Sequence, residues 1–410
     1  MIRQMRVAIV GQGYVGLTVT AGSLSAGYEV VGIDKNEKIV ASLNRGISHI
    51  EGISNSSIKS GIDSGKYRAS SNYSEIQSAQ VVIIAVPTPL DSDRKPDISI
   101  LKSAVHSLTP NLAEGALVIN ESTSYIGTLR EVIAEPINAK NSKVEDFAVS
   151  PERVDPGNLH FGVKNTPRLV GGLNEKATNR AAEFYEKFCD YVVKVSSPEV
   201  AEAAKLLENT FRFVNIGFIN EFTQIMNALQ IPVSEVISAA ATKPYGFMPF
   251  FPNVGIGGHC IPVDPLYLQK NAQDANNSSK YIETSEVQNH LMPKYSVGRL
   301  EKLFGSLKGK KVLVVGISYK PDIADTRESP AQAVMEHLKE RKAEVFWHDP
   351  LIASFEGQSS SQISGEYDLA LVLVKHQSLD MSAWRGSPIY CVNPIESHSD
   401  WIPILGSSRE

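Results

Sequence analysis

The feature that most limits the fold of this chain is a glycine pattern near its N-terminus. Gly11, Gly13 and Gly16 have the spacing G-x-G-x-x-G and directly follow the apolar run Val7–Val10. Between a strand and a helix, such glycines permit a tight turn, let the backbone approach a pyrophosphate and let the helix pack closely. A helix N-terminus also stabilises phosphate charge, although a glycine-rich turn without a ligand is the alternative. The residues predicted to contact a dinucleotide here are Gly11, Gly13, Tyr14, Val15 and Gly16.

An acidic residue stands where a dinucleotide site of this kind needs one. The second β-branched run ends at Asp34, which lies 34 − 16 = 18 residues after Gly16. A carboxylate at this place accepts hydrogen bonds from the adenosine ribose hydroxyls and repels a 2′-phosphate, which favours NAD over NADP. The neighbouring cation Lys35 weakens that preference slightly. The sequence therefore predicts NAD as the cofactor.

The order of the apolar runs predicts the fold of the first half. Short β-branched runs alternate with longer segments suited to helices or loops, the runs being Val7–Val10, Val30–Ile33, Val81–Val86, Leu117–Ile119 and Phe147–Val149. Continuous apolar strands of this kind predict a parallel sheet that is covered on both faces. Pro87 and Thr88 follow one of these strands and Thr123 follows another, at the strand ends where ligands bind in open sheets.

A long helix separates this half from a second region of the same rhythm. Residues 197–199 supply an N-cap, a proline in the first turn and an early negative charge. No proline follows until Pro232, so we predict a helix over residues 200–230, about 45 Å long. The predicted fold is α/β, with two Rossmann-like doubly wound parallel-sheet domains joined by a central helical segment. The predicted domains are residues 1–196 for the dinucleotide, 197–300 for dimerisation and catalysis, and 301–410 for the substrate.

Composition and charge exclude several classes of protein. Of 410 residues, 42% are hydrophobic and 21% charged, and the formal net charge is −5. A net negative charge does not favour binding to nucleic acid or to an anionic membrane. No apolar run approaches the roughly 18 residues of a membrane span. The first strand pattern begins without a secretory leader, and three widely spaced cysteines favour reduced thiols. We therefore expect a cytoplasmic protein that binds no nucleic acid, no membrane and no metal.

A second glycine-rich loop carries the strongest candidate for catalysis. Residues 255–265 read GIGGHCIPVDP, which places the thiol of Cys260 near the carboxylate of Asp264. Glycines let the backbone crowd a ligand, and a thiolate is a strong nucleophile once its pKa is lowered. An inert buried thiol is the alternative. The neighbouring His259 is equally well explained by a turn or by a substrate contact.

Two further sets of polar residues accompany this loop. Lys205, Asn209 and Arg212 fall at i, i+4 and i+7 of the predicted long helix, so they share one face. That face meets either a charged ligand or solvent. Glu152 and Arg153 follow the strand at 147–149, where a surface ion pair explains them as well as a functional role does.

Seven ordered motifs resemble those of the UDP-glucose/GDP-mannose dehydrogenase family. They are GQGYVG, VPTPL, NESTSYIGT, SPERVDPG, AAKLLENTFRFVNIGFINE, GGHCIPVDP and GISYKPDIADTRESP. The resemblance spans nearly the whole chain and is greatest to the UDP-N-acetylhexosamine 6-dehydrogenases, which act on UDP-GlcNAc or UDP-ManNAc. It implies oxidation of the C6 hydroxymethyl group of a UDP-sugar to a carboxylate with two NAD, in a homodimer with the long helix at its core.

The resemblance also implies roles for individual residues. Cys260 would be the nucleophile that forms a thiohemiacetal and then a thioester, and Lys205 would stabilise the oxyanion. The other implied catalytic residues are Asp264, Asn209, Glu152 and Thr123, with the general base open between Glu152, Lys205 and Asp264. Cofactor contacts are implied for Pro87, Thr88, Thr123 and Arg327. Substrate contacts are implied for Arg153, Val154, Lys205, Asn209, Arg212, Gly257, Tyr319 and Lys320.

The sequence departs from the family pattern beside the thiol loop. In several relatives this segment carries an arginine that reaches the substrate of a neighbouring subunit, but here residues 244–248 read PYGFM, and Asn253 replaces a common glycine. The sugar therefore stays open among UDP-GlcNAc, UDP-ManNAc and UDP-GalNAc, with UDP-glucose as the alternative. Two remoter alternatives remain: a two-electron dehydrogenase of the β-hydroxyacid type, which leaves Cys260 unexplained, and a silent nucleotide-sugar-binding protein.

Overall fold

The computed structural model describes residues 5–50, 52–154, 158, 160–395 and 398–406. The chain forms two compact units. The first contains residues 1–208 and 266–276, and the second contains residues 209–265 and 277–410.

The first unit is built on an eight-stranded sheet. Its strands are β1 (Arg6–Val10), β2 (Glu29–Ile33), β3 (Tyr67–Ser70), β4 (Val81–Ile84), β5 (Leu117–Asn120), β6 (Asp146–Val149), β7 (Arg168–Gly172) and β8 (Val192–Lys194). Their order is β3-β2-β1-β4-β5-β6-β7-β8, and neighbours are parallel except that β7 runs antiparallel to β6. All residues of β4, β5 and β6 are buried, as in a sheet covered on both faces.

Helices connect these strands and cover the sheet. They are α1 (Tyr14–Ser25), α2 (Glu37–Leu43), α3 (Asn55–Asp63), α4 (Ser99–Leu108), α5 (Glu135–Asn138) and α6 (Glu175–Tyr185), with a π-helical turn at Leu129–Ala134. The helix α6 is capped by Asn174, whose side chain accepts a hydrogen bond from the N–H of Ala177. Its apolar face joins the core of the sheet through Ala181 and Phe184. The unit therefore has the layered architecture of a Rossmann fold.

The long helix α7 (Pro198–Ala228) forms as the sequence predicts. Its 31 residues correspond to a length of about 46 Å. The side-chain oxygen of Ser197 accepts the N–H of Val200 at 3.4 Å, so the predicted N-cap is present. The division between the two units falls within this helix, after Glu208. Three helices follow it along the chain: α8 (Val233–Ala241), α9 (Asp264–Asp274) and α10 (Lys280–Phe304).

The second unit contains a smaller parallel sheet. Its elements are β9 (Lys311–Val315), α11 (Ala331–Glu340), β10 (Glu344–His348), β13 (Leu369–Val372), β14 (Ile389–Cys391) and β15 (Ile402–Pro403), with a separate hairpin of β11 (Ser354–Phe355) and β12 (Gln358–Ser359). The strand order is β10-β9-β13-β14-β15, and all four pairings are parallel. Apolar side chains of α10 and α11 form a core with one face of this sheet.

The predicted fold class is confirmed: an α/β chain with two parallel-rich sheets and a long central helix. Three strands of the first sheet, β3, β7 and β8, were not predicted. Over the described ranges, no helix has both the length and the apolar character to cross a membrane. The predicted domain boundaries stay predictions.

Candidate active site

The glycine turn of the first unit has the geometry that its spacing predicts. Gly11 has a φ of +92°, and a Cβ there would collide with the carbonyl oxygen of Ala85. A Cβ on Gly16 would collide with the carbonyl of Gly11, so helix and turn are in close contact. Gly13 is exposed, and a Cβ there would meet nothing within 4 Å. The backbone at Gly13 is therefore accessible to a ligand, with the half-buried Tyr14 and Val15 beside it.

The carboxylate of Asp34 is fixed at the end of β2. Its Oδ2 accepts the N–H of Gln12 at 2.9 Å, and its Oδ1 accepts the N–H of Asn36 at 2.8 Å. Gln12 is itself held in the core, because its Oε1 accepts the hydroxyl of Tyr67 at 2.9 Å. Asp34 is half-buried, so its carboxylate is anchored beside the glycine turn and still reaches solvent.

Two loops at the same edge of the sheet are joined by one serine. The Oγ of Ser122 donates to the carbonyl of Val86 at 2.8 Å and accepts the N–H of that residue at 2.9 Å. This pair connects the loop carrying Pro87 and Thr88 to the loop carrying Thr123. Pro87 is exposed, whereas both threonines are half-buried. The structure thus brings three predicted cofactor residues to one edge, the carboxyl ends of β4 and β5.

A buried cation lies at the carboxyl ends of β5 and β6. Arg168, only 4% exposed, places its Nη2 2.7 Å from Oε2 of Glu152 and its Nη1 3.1 Å from Oε2 of Glu121. Its guanidinium lies 4.6 Å from the ring centroid of Tyr185, whose hydroxyl donates to Oε1 of Glu121. One guanidinium therefore contacts two buried carboxyl groups.

The two carboxylates differ in pKa although they share this cation. Burial raises the pKa of Glu121 to about 7, because the attraction of Arg168 does not compensate and the charge of Glu152 adds to the effect. Burial acts in the same direction on Glu152. Its pKa is nevertheless lowered by Arg168, by two backbone N–H groups and by the charge of Lys205. Glu152 is thus the carboxylate that favours ionisation.

Glu152 is not paired with its neighbour Arg153. Its Oε1 accepts the backbone N–H groups of Arg153 and Val154, both at 2.7 Å. The guanidinium of Arg153 instead contacts Glu208 at 2.7 Å and the carbonyl of Pro167 at 2.7 Å. The ion pair between Glu152 and Arg153 that the sequence analysis left open is therefore not formed, and Arg168 is the cation of Glu152. The last residues of the motif SPERVDPG, 155–157, lie outside the described residues.

Arg168, Glu121 and Tyr185 are residues that the sequence analysis missed. The antiparallel register pairs Val149 with Gly171, and continuing it places Glu152 opposite Arg168. The run Arg-Leu-Val-Gly-Gly is short and ends in glycines, so it lacks the β-branched pattern of the predicted strands. The available signal was indirect: two carboxylates that follow apolar strands need a cation when they are buried.

The loop of Cys260 packs tightly within the second unit. Gly258 has a φ of +90°, and a Cβ there or at Gly257 would touch the side chain of Tyr319 at 2.8 Å. The N–H of Gly258 donates to the carbonyl of Arg327 at 3.1 Å. These glycines are therefore required for the close approach of the loop to the segment that follows β9.

Cys260 differs in its surroundings from the other two cysteines. It is half-buried, and its carbonyl accepts the N–H of Asp264 at 2.8 Å, so the chain turns directly from the thiol into α9. Cys189 and Cys391 are buried, and burial raises the pKa of their thiols to about 11 and about 12. None of the three forms a disulfide. Cys260 is thus the least buried of the three cysteines.

Two predicted catalytic residues meet beneath this loop. Nδ2 of Asn209 donates to Oδ2 of Asp264 at 2.5 Å, and both side chains are buried. Arg212, which we predicted on the same helix face, is exposed. A bond between Asn209 and Asp264 fixes the first turn of α9, which begins four residues after Cys260.

Arg327 lies beside the same loop. Its Nε and Nη2 donate to the carboxylate of Asp325 at 3.0 and 2.6 Å, and Nη2 is 3.3 Å from Nδ1 of His259. Burial would raise the pKa of Asp325, but the hydrogen bonds and charge of Arg327 hold it below its usual value. Tyr319 and Lys320 are half-buried in the same segment. The roles predicted for the site residues stay predictions, although the structure groups them within each unit.

Three domains of one protein family match most of the chain. The UDP-glucose/GDP-mannose dehydrogenase family matches with its NAD binding domain over residues 5–189, its central domain over 199–290 and its UDP binding domain over 313–388. The chain belongs to this family. It is therefore an NAD-dependent enzyme of the nucleotide-sugar dehydrogenase type.

Relatives of stated activity resemble the chain over nearly its full length. The UDP-N-acetyl-D-mannosamine dehydrogenase of Pyrococcus horikoshii is 32% identical, covering 93% of this chain and 92% of the relative. The UDP-N-acetyl-D-glucosamine 6-dehydrogenase of Pseudomonas aeruginosa is also 32% identical, covering 92% and 91%. A solved structure, the UDP-D-ManNAc dehydrogenase of P. horikoshii, superimposes with a TM-score of 0.85 at 31% identity, covering 94% and 95% of the two chains.

The residues of the first unit fit the NAD that this family binds. The open surface at Gly13 leaves room for a pyrophosphate at the N-terminus of α1, whose dipole favours negative charge. The anchored carboxylate of Asp34 is available at the end of β2 for ribose hydroxyls. These two features are those expected of a dinucleotide site.

Proposed function

We propose that the enzyme oxidises the C6 hydroxymethyl group of a UDP-N-acetylhexosamine to a carboxylate, with two NAD consumed per sugar. The observation that carries the proposal is the half-buried Cys260 in a glycine-rich loop of a nucleotide-sugar dehydrogenase. Relatives named for UDP-ManNAc and UDP-GlcNAc support an acetamido sugar. UDP-glucose is the alternative substrate.

The proposed chemistry proceeds through a covalent adduct of Cys260. A base takes the hydroxyl proton as C6 is oxidised to the aldehyde, and bound NAD supplies the hydride acceptor for this and the later oxidation. The thiolate then adds to the aldehyde carbon and gives a thiohemiacetal, which is a far better hydride donor than the aldehyde itself. Its oxidation leaves a thioester. Water breaks the carbon–sulfur bond, releases the carboxylate and restores the thiol.

The polar residues of both units have distinct roles in this proposal. Lys205 stabilises the developing oxyanion, and the ionised Glu152 serves the hydrolytic step. Asn209 and Asp264, joined by their hydrogen bond, position water and the thiol loop. The remaining proposed contacts are Thr123, Pro87, Thr88 and Arg327 to the cofactor, and Arg153, Val154, Arg212, Gly257, Tyr319 and Lys320 to the substrate. We propose a cytoplasmic location, since both nucleotide sugars and NAD are cytoplasmic metabolites.

We further propose that two copies associate through the exposed face of α7. Large apolar side chains at spacings of seven and four residues form one exposed stripe, consisting of Val200, Leu207, Phe211, Phe218, Ile225 and Leu229. Such spacings keep side chains on one face of a helix, as in paired helices. Leu207 and Phe218 are 66% and 61% exposed, which is costly for a helix of this length unless another surface covers it. A second copy covers it with the same stripe.

The test is the number of NADH formed per mole of limiting sugar. Wild type and Cys260→Ala are assayed with UDP-GlcNAc, UDP-ManNAc, UDP-GalNAc and UDP-glucose. We expect two NADH per sugar from wild type with one acetamido sugar, and loss of that yield in Cys260→Ala. The matched control is Cys391→Ala, which changes a thiol buried in the second sheet and keeps two NADH per sugar.

Three results would contradict the proposal in different ways. One NADH per sugar, indifferent to Cys260, would indicate a two-electron dehydrogenase of the β-hydroxyacid type. Binding without NADH would indicate a silent binding protein. Two NADH from UDP-glucose alone would retain the chemistry and assign the other substrate.

A further inference from the structure

The turn after β9 repeats the turn after β1 within its own unit. The N–H of Gly316 donates to the carbonyl of the residue before Asp349 at 2.8 Å, and the N–H of Gly11 donates to the carbonyl of the residue before Asp34 at 2.7 Å. In both turns the next residue donates its N–H to the aspartate at 2.9 Å. Both glycines have positive φ, +92° at Gly11 and +77° at Gly316. Asp349 thus occupies in the second unit the place that Asp34 occupies in the first.

Asp349 nevertheless has a different environment from Asp34. It is 3% exposed, and its Oδ2 accepts the N–H and the hydroxyl of Ser318 at 3.1 and 3.0 Å. Its Oδ1 accepts the N–H of Leu351 at 2.9 Å. Although burial would raise the pKa of Asp349, these donors and a neighbouring imidazole lower it to about 2. The carboxylate is therefore ionised and used internally, so it is not available to a ribose.

The neighbouring imidazole is that of His376, which has no exposed surface. Its Nδ1 accepts the N–H of Asp322 at 2.9 Å, and because a backbone N–H can only donate, Nδ1 carries no hydrogen. The hydrogen is therefore on Nε2, which lies 3.1 Å from Oδ2 of Asp349 and donates to it. One buried ring thus connects the aspartate at the end of β10 to the far end of the loop that follows β9.

These bonds hold both ends of residues 317–322. Asp349 accepts from the first two residues of the segment, and His376 accepts from the last. Asp322 has a φ of +60°, a region that a non-glycine residue adopts only when its surroundings hold it there. Its Oδ1 accepts the N–H of Gln377 at 2.7 Å, which adds a second restraint.

The middle of this segment carries Tyr319 and Lys320. The side chain of Tyr319 packs against Gly257 through its Cβ and against Gly258 through its ring, so its place depends on the path of residues 317–322. The UDP binding domain of the family spans this segment, since it matches residues 313–388. A loop that is fixed at both ends presents its side chains to a ligand without an ordering cost at binding.

We propose that His376 and Asp349 are positioning residues that hold residues 317–322 in the conformation that binds the UDP moiety. The acidic residue at the end of the second strand, which we expect to bind a ribose in the first unit, serves in the second unit as an anchor for the substrate loop. This inference rests on the proposed contacts of Tyr319 and Lys320 with UDP.

The experiment measures UDP binding calorimetrically in the full chain. His376→Ala removes both hydrogen bonds of the ring, and we expect it to weaken UDP binding roughly tenfold while NAD affinity is unchanged. His376→Asn retains an acceptor near the place of Nδ1, and His376→Gln retains a donor near the place of Nε2. Each of these variants is expected to weaken UDP binding less than His376→Ala does. Ser318→Ala removes a single hydroxyl donor and gives a mild version of the same effect.

Kinetics separate positioning from a merely structural role. In the His376 variants the KM for the UDP-sugar should rise about as much as the Kd of UDP, whereas kcat should stay within about twofold, because both hydrogen bonds of the His376 ring are made to residues outside the thiol loop. The matched control is His337→Ala, a partly exposed histidine of α11 that pairs with Glu340, and it should bind UDP as wild type does. If His376→Ala does not fold, the Asn, Gln and Ser318 variants decide the question.

The anchoring role of His376 and the proposed substrate contacts of the loop can be contradicted separately. Wild-type affinity for UDP in every folded His376 and Ser318 variant would overturn the anchor and leave the proposed function intact. No binding of UDP by wild type, or wild-type binding by Lys320→Ala, would instead overturn the proposed substrate contacts of the loop.

Discussion

Arg168 illustrates how one residue can determine the state of two others. A buried carboxylate without a cation is costly, and Glu121 and Glu152 are both almost fully buried. One guanidinium neutralises a single charge, so the pair keeps an excess of negative charge that the raised pKa of Glu121 relieves. Glu152 retains the favourable donors and remains ionised. The network thus keeps a negative charge at the residue for which we propose a catalytic role.

Replacing Arg168 by methionine should destabilise the first unit strongly. Two buried carboxylates would lose their cation, and breaking a buried pair of this kind costs about 3–5 kcal/mol. Urea denaturation followed by far-UV circular dichroism measures the change. Arg130→Met is the control, since the pair of Arg130 with Glu199 is partly exposed and is worth about 1 kcal/mol or less. Equal losses in the two variants would contradict the importance of the buried network, and Glu121→Gln added to Arg168→Met should recover part of the loss.

The glycine turn offers a matched pair of substitutions, one of which should lower stability and the other NAD affinity. Gly11→Ala places a methyl group against the carbonyl of Ala85 at positive φ, and we expect a loss of about 2 kcal/mol or more in stability. Gly13→Ala meets no neighbouring atom, so the fold should keep its stability within about 0.5 kcal/mol. Its methyl group would instead keep the pyrophosphate of NAD away, which we expect to raise the Kd about tenfold. Thermal unfolding and NAD titration separate the two effects, and similar behaviour of both variants would contradict the assignment.

Residues that act through backbone geometry were predictable from the sequence, whereas those that act through tertiary contacts were not. The turn at Gly11 and the carboxylate of Asp34 follow from local spacing, and both have the expected geometry. Arg168 lies sixteen residues from Glu152 along the chain, and no spacing rule connects them. His376 is likewise 27 residues from Asp349.

At the scale of elements, β7 explains why the buried network was missed. Consecutive parallel strands need long crossover connections, and such strands, when covered on both faces, appear in the sequence as continuous apolar runs. The strand β7 runs antiparallel to β6, so it begins at the edge where the parallel strands end. This reversal brings Arg168 to the carboxyl ends of β5 and β6. The predictions of β1, β2, β4, β5 and β6 rested on continuous apolar runs, a signal that β7 and β8 lack, because β7 ends in two glycines and the edge strand β8 has only three residues.

A titratable side chain in the first turns of α7, Glu202, caps the start of the π-helical turn at Leu129–Ala134. Oε2 of Glu202 accepts the N–H of Gly127 at 2.7 Å, and Oε1 accepts the N–H of Leu129 at 2.9 Å. Burial exceeds the effect of these donors and raises the pKa of Glu202 from 4.5 to about 7, with the negative charges of Glu199 and Glu131 adding to it. A carboxyl whose pKa is raised on folding stabilises the fold below its unfolded value, and that contribution is lost as the pH rises through about 7.

The stability of the first unit should therefore fall between pH 5.5 and pH 8. Glu202→Gln cannot ionise, and we expect it to reduce this fall by roughly 5 °C in Tm. Glu199→Gln on the same helix is the comparison: it removes a neighbouring negative charge that adds to the raised pKa of Glu202, so the fall should be smaller than in wild type and larger than in Glu202→Gln. Differential scanning calorimetry across this range provides the measurement. Parallel curves for wild type and Glu202→Gln would show that Glu202 does not titrate there.

At the scale of the whole molecule, the chain contains the same strand–turn design twice with different uses. The glycine turn of the first unit leaves an exposed backbone and an accessible carboxylate. The corresponding turn of the second unit encloses its carboxylate with a serine and a histidine. The sequence predicted the repeated rhythm of strands and helices. It could not predict which aspartate would be enclosed, since that depends on the distant ring of His376.

The exposed stripe of α7 leads to a prediction about the assembly. A helix with Phe218 and Ile225 61% and 50% exposed gains from burial about 1.5–3 kcal/mol for each such side chain. In a two-fold interface every substitution acts twice, so the double variant Phe218→Glu with Ile225→Glu should weaken association roughly a thousandfold or more. Light scattering after size-exclusion chromatography should give the mass of two chains for wild type and of one for this variant.

Ile47→Glu is the control for this prediction, because it introduces the same charge at an isolated apolar residue of the first unit that is 44% exposed. We expect it to retain the mass of two chains. Far-UV circular dichroism of the double variant should match wild type, since both glutamates replace side chains that already lie at the surface of α7. A wild type with the mass of one chain, or a double variant that still forms pairs at micromolar concentration, would exclude the stripe as the surface through which two copies associate.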